Sequence, residues 1–273
     1  MGVPIAERLV AAGHDVAVWN RTAAAADSFT NRLDSPGAAW EHGDVAITML
    51  ADDRAVEAVL DALLDGRPGT VVEMSTISVA GSARLAERAE RAGAAYLRAP
   101  VSGNPSVVAA GNLGIIVSGP RAAYDAVEPL LRDVGPNHFY VGAADEARVV
   151  KLAINLVLAG TAQLMAEALV LAERNGIDRA TLLDVMGGSA MGSPFVKYKT
   201  EALVAGDLTS TFTTTGMYKD LALALECARA ADLGLPVTAQ VQQLLLGCVA
   251  QGMGNLDFMA LLPRMRREAG LPD

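Results

Sequence analysis

The sequence predicts an α/β protein in which a mostly parallel sheet domain is followed by an all-α domain, the two joined by a long interdomain helix. Three observations carry this expectation. Short β-rich runs alternate with amphipathic helical patterns through the first half, and each stretch between strands is long enough to cross over and return in parallel. The strand signal stops after about Gly142. From there on helical patterns dominate, broken at Asn175-Gly176, Gly187-Gly188, Gly206, Gly234 and Pro236. The expected division falls at 1–144 and 145–273.

Taken in order, the first residues read as a helix ending at a Gly13 turn, and 16–19 as a strand ending at Trp19. Further strands are expected at 45–50 and 70–74, then around Leu97, Ile115 and Phe139. Between them, 54–64 repeats apolar residues at helical spacing, and 79–91 is rich in alanine, arginine and glutamate, which favour helix. An unbroken helix over roughly 145–174 would reach about 45 Å, long enough to leave one domain and pack into the next. No internal repeat, low-complexity tract or Pro/Gly/Ser linker intervenes, which predicts a firm interface between the halves.

With 273 residues, 52% of them hydrophobic, the chain can bury a sizeable core. Acidic residues outnumber basic ones, 31 to 22, giving a formal charge of −9 and a pI near 4.9. Such a chain has no basic surplus to release counterions from a phosphate backbone, so no nucleic-acid partner is expected. Cys227 and Cys248 fall on separate helical segments without a close cysteine or histidine, which argues against a disulfide framework or a metal site and fits a reducing compartment. His14, His42 and His138 are scattered at turn-like positions and read as structural or solvated. The longest apolar stretch is interrupted by Lys151, Asn155, Gln163 and Glu167 and reads as an interior helix, not a membrane span. Glu7 and Arg8 stand early and no secretory signal is visible, so a cytoplasmic location is expected.

Two features point to chemistry. Lys151 and Asn155, four residues apart in an apolar run, share one face of a helix that otherwise reads as buried. A buried unpaired charge is costly, so such a lysine snorkels outward, pairs with a carboxylate, or faces a wet cleft of the kind that forms at domain junctions. The second feature is the start of the chain. A helix, a glycine turn, a strand and Asn20-Arg21-Thr22 follow the order of the second half of a Rossmann-like dinucleotide-binding unit. Gly2 matches the last glycine of that unit's fingerprint, whereas its first strand and two preceding glycines are not in this sequence. Loss of that central strand would expose two strand edges. Two explanations stay open: a start internal to a longer coding region, or a truncated protein that binds dinucleotide poorly. After the second strand, where a carboxylate would hold the ribose 2′-OH of NAD, Arg21 can take a 2′-phosphate, which favours NADP and leaves NAD as the alternative. The bland reading makes Arg21 a solvated turn residue and Thr22 a helix N-cap.

Four further blocks sit where an open α/β sheet places ligands or close behind in the helical half: Met49-Leu50 with Asp52 and Asp53, Ser75-Thr76, 99–104, and 212–221. Together with Lys151 these segments resemble the β-hydroxyacid dehydrogenase family, which holds 3-hydroxyisobutyrate dehydrogenase, tartronate semialdehyde reductase and the glyoxylate/succinic semialdehyde reductases. The resemblance covers essentially the whole chain. It implies an NADP-dependent oxidoreductase that moves a hydride between the nicotinamide and a small 3-hydroxy acid or semialdehyde. By the same resemblance Ser102, Gly103 and Asn104 bind the substrate carboxylate, with Asp220 nearby. Lys151 is then the proton donor or acceptor, and Asn155 orients both substrate and lysine. Thr76 stands beside the nicotinamide, Lys219 lies on the cofactor side, and Gly2, Asn20, Arg21, Thr22, Met49, Leu50 and Phe212 complete the cofactor site. The chemistry is coherent without the family name, because hydride transfer to a carbonyl leaves an alkoxide that an ammonium of ordinary pKa about 10.4 can stabilise and protonate.

Several positions depart from the family pattern. Asn104 and Pro105 follow Gly103 where a second glycine is usual, and Arg98 stands where an acidic residue is common. Asp145 and Ala147 replace glycines before the lysine helix, with Asp145 a candidate cap, and Asp53 replaces a frequent proline. Asp52 and Asp53 also read as helix N-terminal charges. An imine reductase and a non-catalytic dimeric scaffold with a degraded nucleotide site are the alternative functions. Phe195, Phe212 and Met217 are candidate pocket residues, and apolar faces at 152–172 and 221–248 predict a homodimer or homotetramer through the helical half.

Overall fold

The computed structural model describes residues 1–65 and 69–271 and contains two units, Met1–Ala153 and Ile154–Asp273. The first opens with α1 (Gly2–Ala11), which buries Ile5 and Leu9 on one face and ends at Gly13, whose φ of +93° is one that glycine adopts without strain. After α2 (Ala39–His42) come β1 (Val45–Thr48), α3 (Asp53–Leu64), β2 (Thr70–Glu73), α4 (Val79–Arg91) and β3 (Ala95–Arg98). The three strands are parallel, with Thr48 paired to Glu73 and Glu73 to Arg98, so their carboxyl ends form one row. Asp52 and Ser78 cap α3 and α4. Those helices then bury Val56, Leu60 and Leu85 in a core with Val71 and Tyr96.

Next follow β4 (Val101–Ser102), α5 (Pro105–Ala109), β5 (Gly114–Ser118), α6 (Arg121–Val134) and β6 (Asn137–Gly142). Strand β5 is antiparallel to β3 and β4 and parallel to β6, which makes the sheet mixed. A second core joins Ile5, Leu9, Val72, Leu97, Ile115 and Leu131.

The strand expected at 16–19 does not form. A single parallel bridge between Val18 and Arg32 marks the place, with Val18 N–H donating to the Asn31 carbonyl at 3.0 Å and Leu33 N–H donating to the Val18 carbonyl at 2.9 Å. Beside it lies a cavity of about 500 Å³ whose lining includes Ile5, Leu9, Val16, Val18, Ile47 and Leu130. Strand β1 borders the same cavity and pairs with β2 alone. Apolar alternation becomes a strand only when a neighbour supplies the ladder, and among the described residues no strand lies between this run and β1.

Helix α7 (Glu146–Arg174) runs for 29 residues from the end of the first unit into the second. It is followed by α8 (Arg179–Gly188), α9 (Pro194–Ala205), α10 (Thr214–Ala230), α11 (Pro236–Cys248) and α12 (Leu261–Glu268). Asp178, Ser193 and Thr213 cap α8, α9 and α10 through their side chains. By length and composition α7 could cross a membrane, with a mean hydropathy of 1.6. Its buried face, however, places Ala162, Met165, Ala166 and Leu169 in the helical core with Leu221, Leu245 and Phe258. Within that core Lys199 and Asp257 form a buried ion pair at 2.6 Å, and the Asp257 carboxylate also accepts from the Thr211 N–H at 3.0 Å and hydroxyl at 2.9 Å.

Candidate active site

The row of strand ends in the first unit is tied together by short polar contacts. Leu50 N–H donates to Ser75 Oγ at 2.7 Å, and Ser75 N–H donates to Glu73 Oε1 at 2.8 Å. Thr76 follows, half-buried. Asp52 accepts from Ala55 N–H at 2.9 Å as the cap of α3, while the Asp53 carboxylate receives the Ser78 N–H at 3.1 Å and the Ser78 hydroxyl. Both carboxylates are thus engaged locally, in keeping with their reading as helix-start charges.

At the end of β4, Ser102 is half-buried and Gly103 exposed. The φ of Gly103 is +146°, and a Cβ there would come within 2.9 Å of both Leu113 and Val107, so glycine is required. Asn104 has φ −120° and does not use the left-handed region that its amide tolerates. Its side-chain oxygen starts α5 instead, accepting from Val107 N–H at 3.1 Å and the Ser106 hydroxyl at 2.6 Å.

Where the strand ends meet the start of α7, the unit holds four charges, with Glu73, Arg98 and Arg148 buried and Asp145 half-buried. Arg148, fully buried, gives its guanidinium to the Glu73 carboxylate, to the Ser75 carbonyl at 2.7 Å and to Ser82 Oγ at 3.1 Å. Burial would lower the pKa of Arg148, but the adjoining Glu73 carboxylate and Tyr96 phenol together outweigh it and hold the guanidinium above its ordinary value. Tyr96, also in contact with Arg148, is pushed up to about 12 by burial, partly offset by that cation. Alongside, Arg98 binds Asp145 at two points, Nε to Oδ1 at 2.8 Å and Nη2 to Oδ2 at 3.1 Å. Two of the family departures, Arg98 and Asp145, are therefore partners, and the Asp145 carboxylate serves Arg98. Lys151, half-buried, comes one turn after Arg148. Sequence reasoning missed Glu73 and Arg148. The available signal was an acid ending the apolar strand run 70–74 and an arginine beside the apolar run that holds Lys151.

In the helical unit, Asn155 is buried and its Nδ2 donates to Asp220 Oδ2 at 2.5 Å. Lys219 Nζ lies 3.2 Å from Asp220 Oδ1. This brings Asn155, Asp220 and Lys219 together. Phe212 meets Phe258 edge-on at 6.1 Å and Phe195 stacks on the same ring at 5.8 Å, while Met217 is fully buried, so these three pack within the helical core.

On the cofactor side, a Cβ on Gly2 would meet Met49 at an ordinary 3.9 Å, placing the start of α1 against the end of β1. Asn20, Arg21 and Thr22 are exposed, with Asn20 Nδ2 donating to the Thr22 carbonyl at 2.8 Å. Thr22 stands at the N-cap position of the following 3-10 turn, Ala23–Ala26, without a side-chain hydrogen bond to it. His14 pairs with Asp133 at 2.7 Å and His138 lies 3.6 Å from Glu128, so these histidines are structural. Among the described residues no cluster of His, Cys, Asp or Glu could hold a metal ion.

A family model described as the NAD binding domain of 6-phosphogluconate dehydrogenase matches residues 1–142. Another, described as the NAD-binding domain of NADP-dependent 3-hydroxyisobutyrate dehydrogenase, matches 146–265. The chain is similar to 2-hydroxy-3-oxopropionate reductase of Escherichia coli, 32% identical over 96% of this chain and 95% of that protein. It is also similar to glyoxylate/succinic semialdehyde reductase 2 of Arabidopsis thaliana, 28% identical over 97% of this chain and 77% of that protein. Among solved structures, 3-hydroxyisobutyrate dehydrogenase of Mycobacterium tuberculosis superimposes with a TM-score of 0.86 at 30% identity, covering 97% of this chain and 96% of the other. Fold and matches together define a two-unit oxidoreductase that uses a nicotinamide dinucleotide, NADP or NAD. The chain belongs to the β-hydroxyacid dehydrogenase family.

Proposed function

We propose that the protein is an NADP-dependent reductase acting on a small carbonyl acid, a semialdehyde or the corresponding 3-hydroxy acid, with Lys151 as proton donor and acceptor. The observation that carries this is Lys151 itself: a half-buried amine one turn beyond Arg148, whose guanidinium is fastened to the strand end that leads into Ser75 and Thr76. The bound dinucleotide supplies the hydride. Lys151 holds the ammonium that stabilises the oxyanion developing on the substrate and then protonates it. Ser102 and the N–H groups around Gly103, where the required glycine keeps the backbone bare, receive the substrate carboxylate. Asn155, held by Asp220, orients the substrate oxygen, and Thr76 and Lys219 position the cofactor. Arg21 and its neighbours Asn20 and Thr22 take the 2′-phosphate, which selects NADP.

The reading extends to assembly and place. Val157, Leu164 and Leu171 project from α7 seven residues apart and are 62%, 65% and 68% exposed, a stripe that a second copy of the helical unit would cover. On this reading the protein assembles as a homodimer or homotetramer, with the cytoplasm as its proposed location. Light scattering at micromolar concentration checks this, a monomer being the contrary result.

The activity is tested by following NADPH oxidation with glyoxylate, succinic semialdehyde, methylmalonate semialdehyde and tartronate semialdehyde, and with a cyclic imine in parallel. Turnover of a carbonyl acid supports the proposal. Turnover of the imine alone would move the protein to imine reduction, and calorimetry with no NADPH binding would make it a scaffold.

A further inference from the structure

Four charges at the start of α7, three of them buried and Asp145 half-buried, form an alternating square. Glu73 and Arg98 are cross-strand neighbours at the last positions of β2 and β3. Asp145 immediately precedes α7 and its carbonyl accepts from Arg148 N–H at 3.0 Å, so both stand at the first turn of the helix. Each strand-end charge is paired with the opposite charge on the helix, Glu73 with Arg148 and Arg98 with Asp145. Unlike charges therefore adjoin along every side and the set is neutral, which is what permits such burial. A third tie comes from Ser118, which donates to the Ala144 carbonyl at 2.7 Å and accepts from Ala147 N–H at 3.1 Å.

We infer that Arg98, Asp145, Glu73 and Arg148 are positioning residues that fix the rotation of α7 and thereby aim Lys151 at the row of strand ends. The inference rests on the proposed role of Lys151. Arg148 and Lys151 are three residues apart and so are neighbours on the helix surface, and fixing Arg148 together with Asp145, the residue just before the helix, sets the direction in which Lys151 leaves it. The strand residues of the square run directly into Ser75-Thr76 and into the segment carrying Ser102 and Gly103. One rigid frame thus holds the amine and the groups proposed to meet the substrate. Arg98 and Asp145 form a matched departure from the family pattern, each explained by the other.

The test compares Arg98→Met, Asp145→Asn and the charge-swapped double variant Arg98→Asp/Asp145→Arg with the wild type. These lie nearer the surface than Glu73 and Arg148, and thermal unfolding identifies any variant that fails to fold. Two readouts are taken. For the carbonyl acid that the wild type reduces, each single variant is expected to lose at least tenfold in kcat while KM and the calorimetric Kd for NADPH stay within threefold, and the swap to recover to within threefold of wild type. Separately, the rate at which the Lys151 amine is acetylated, relative to exposed Lys197 and read by peptide mass spectrometry, is expected to change at least threefold in the single variants and to return in the swap. Unchanged kcat and acetylation in folded single variants would overturn the inference, as would a folded swap no better than they are. Should the wild type reduce none of the carbonyl acids, the functional proposal fails and the acetylation ratio alone decides whether the square aims Lys151.

Discussion

Asn155 donates from Nδ2 to Oδ2 of Asp220 at 2.5 Å, fastening α7 to α10 inside the helical unit. The acceptor is a carboxylate only 1% exposed, so this hydrogen bond to a charged group carries more than a surface contact would. Replacing Asn155 by leucine removes a donor without opening space, and we expect a loss of about 1.5–3 kcal/mol in stability. Chemical denaturation measures it, and a change below about 0.5 kcal/mol, the size of an ordinary surface substitution, would show that the pair is not held as described.

Lys199 and Asp257 make a second buried contact in that unit, and Phe258 and Tyr198 flank the ammonium. Removing one member of a buried ion pair leaves the other charge uncompensated. Lys199→Met is therefore expected to cost about 3–5 kcal/mol, read as a lower denaturation midpoint at unchanged slope.

Tyr96 gives a pH dependence. Burial raises its folded pKa from 10.0 to about 12, so the folded protein holds the phenol proton more tightly than the unfolded chain does. The associated stability is fully present below pH 10 and is lost as pH climbs towards 12. Between those limits wild type should lose roughly 2–3 kcal/mol more than Tyr96→Phe, because each pKa unit corresponds to about 1.4 kcal/mol. Parallel denaturation curves for the two proteins would contradict the burial of a protonated phenol.

Cofactor preference tests the exposed end of the 16–19 run. Arg21→Asp exchanges a phosphate-binding cation for a carboxylate that accepts from a ribose 2′-OH. The ratio of kcat/KM for NADPH over NADH should fall at least tenfold. An unchanged ratio would remove Arg21 from the 2′-phosphate site.

Much of this structure was legible in the sequence, for identifiable reasons. The helix over 79–91 and the long helix ending at Arg174 appear at or within a residue of their expected bounds, because periodicity and composition agree there and Gly176 supplies a stop. The run 16–19 misled because alternation records a strand's two faces and says nothing of whether a ladder partner exists. The charge square was hidden for a related reason: Glu73, Arg98, Asp145 and Arg148 are spread over more than seventy positions, and only the register of β2 against β3 brings them side by side. Arg98 and Asp145 were visible singly as departures, but pairing is a tertiary fact. Lys151 and Asn155 stood out in the sequence because polar residues four apart on an apolar helix conflict with burial, and the structure leaves Lys151 half-buried and seats Asn155 against Asp220.

The most direct test of the central claim is single-turnover reduction of succinic semialdehyde by NADPH deuterated at the transferable C4 position, in wild type and in Lys151→Ala. Wild type should deliver deuterium to the carbonyl carbon, while the variant should bind NADPH within threefold of wild type and turn over about 10²–10⁴ times more slowly. Deuterium transfer at the wild-type rate without the Lys151 amine would contradict its role as the proton donor.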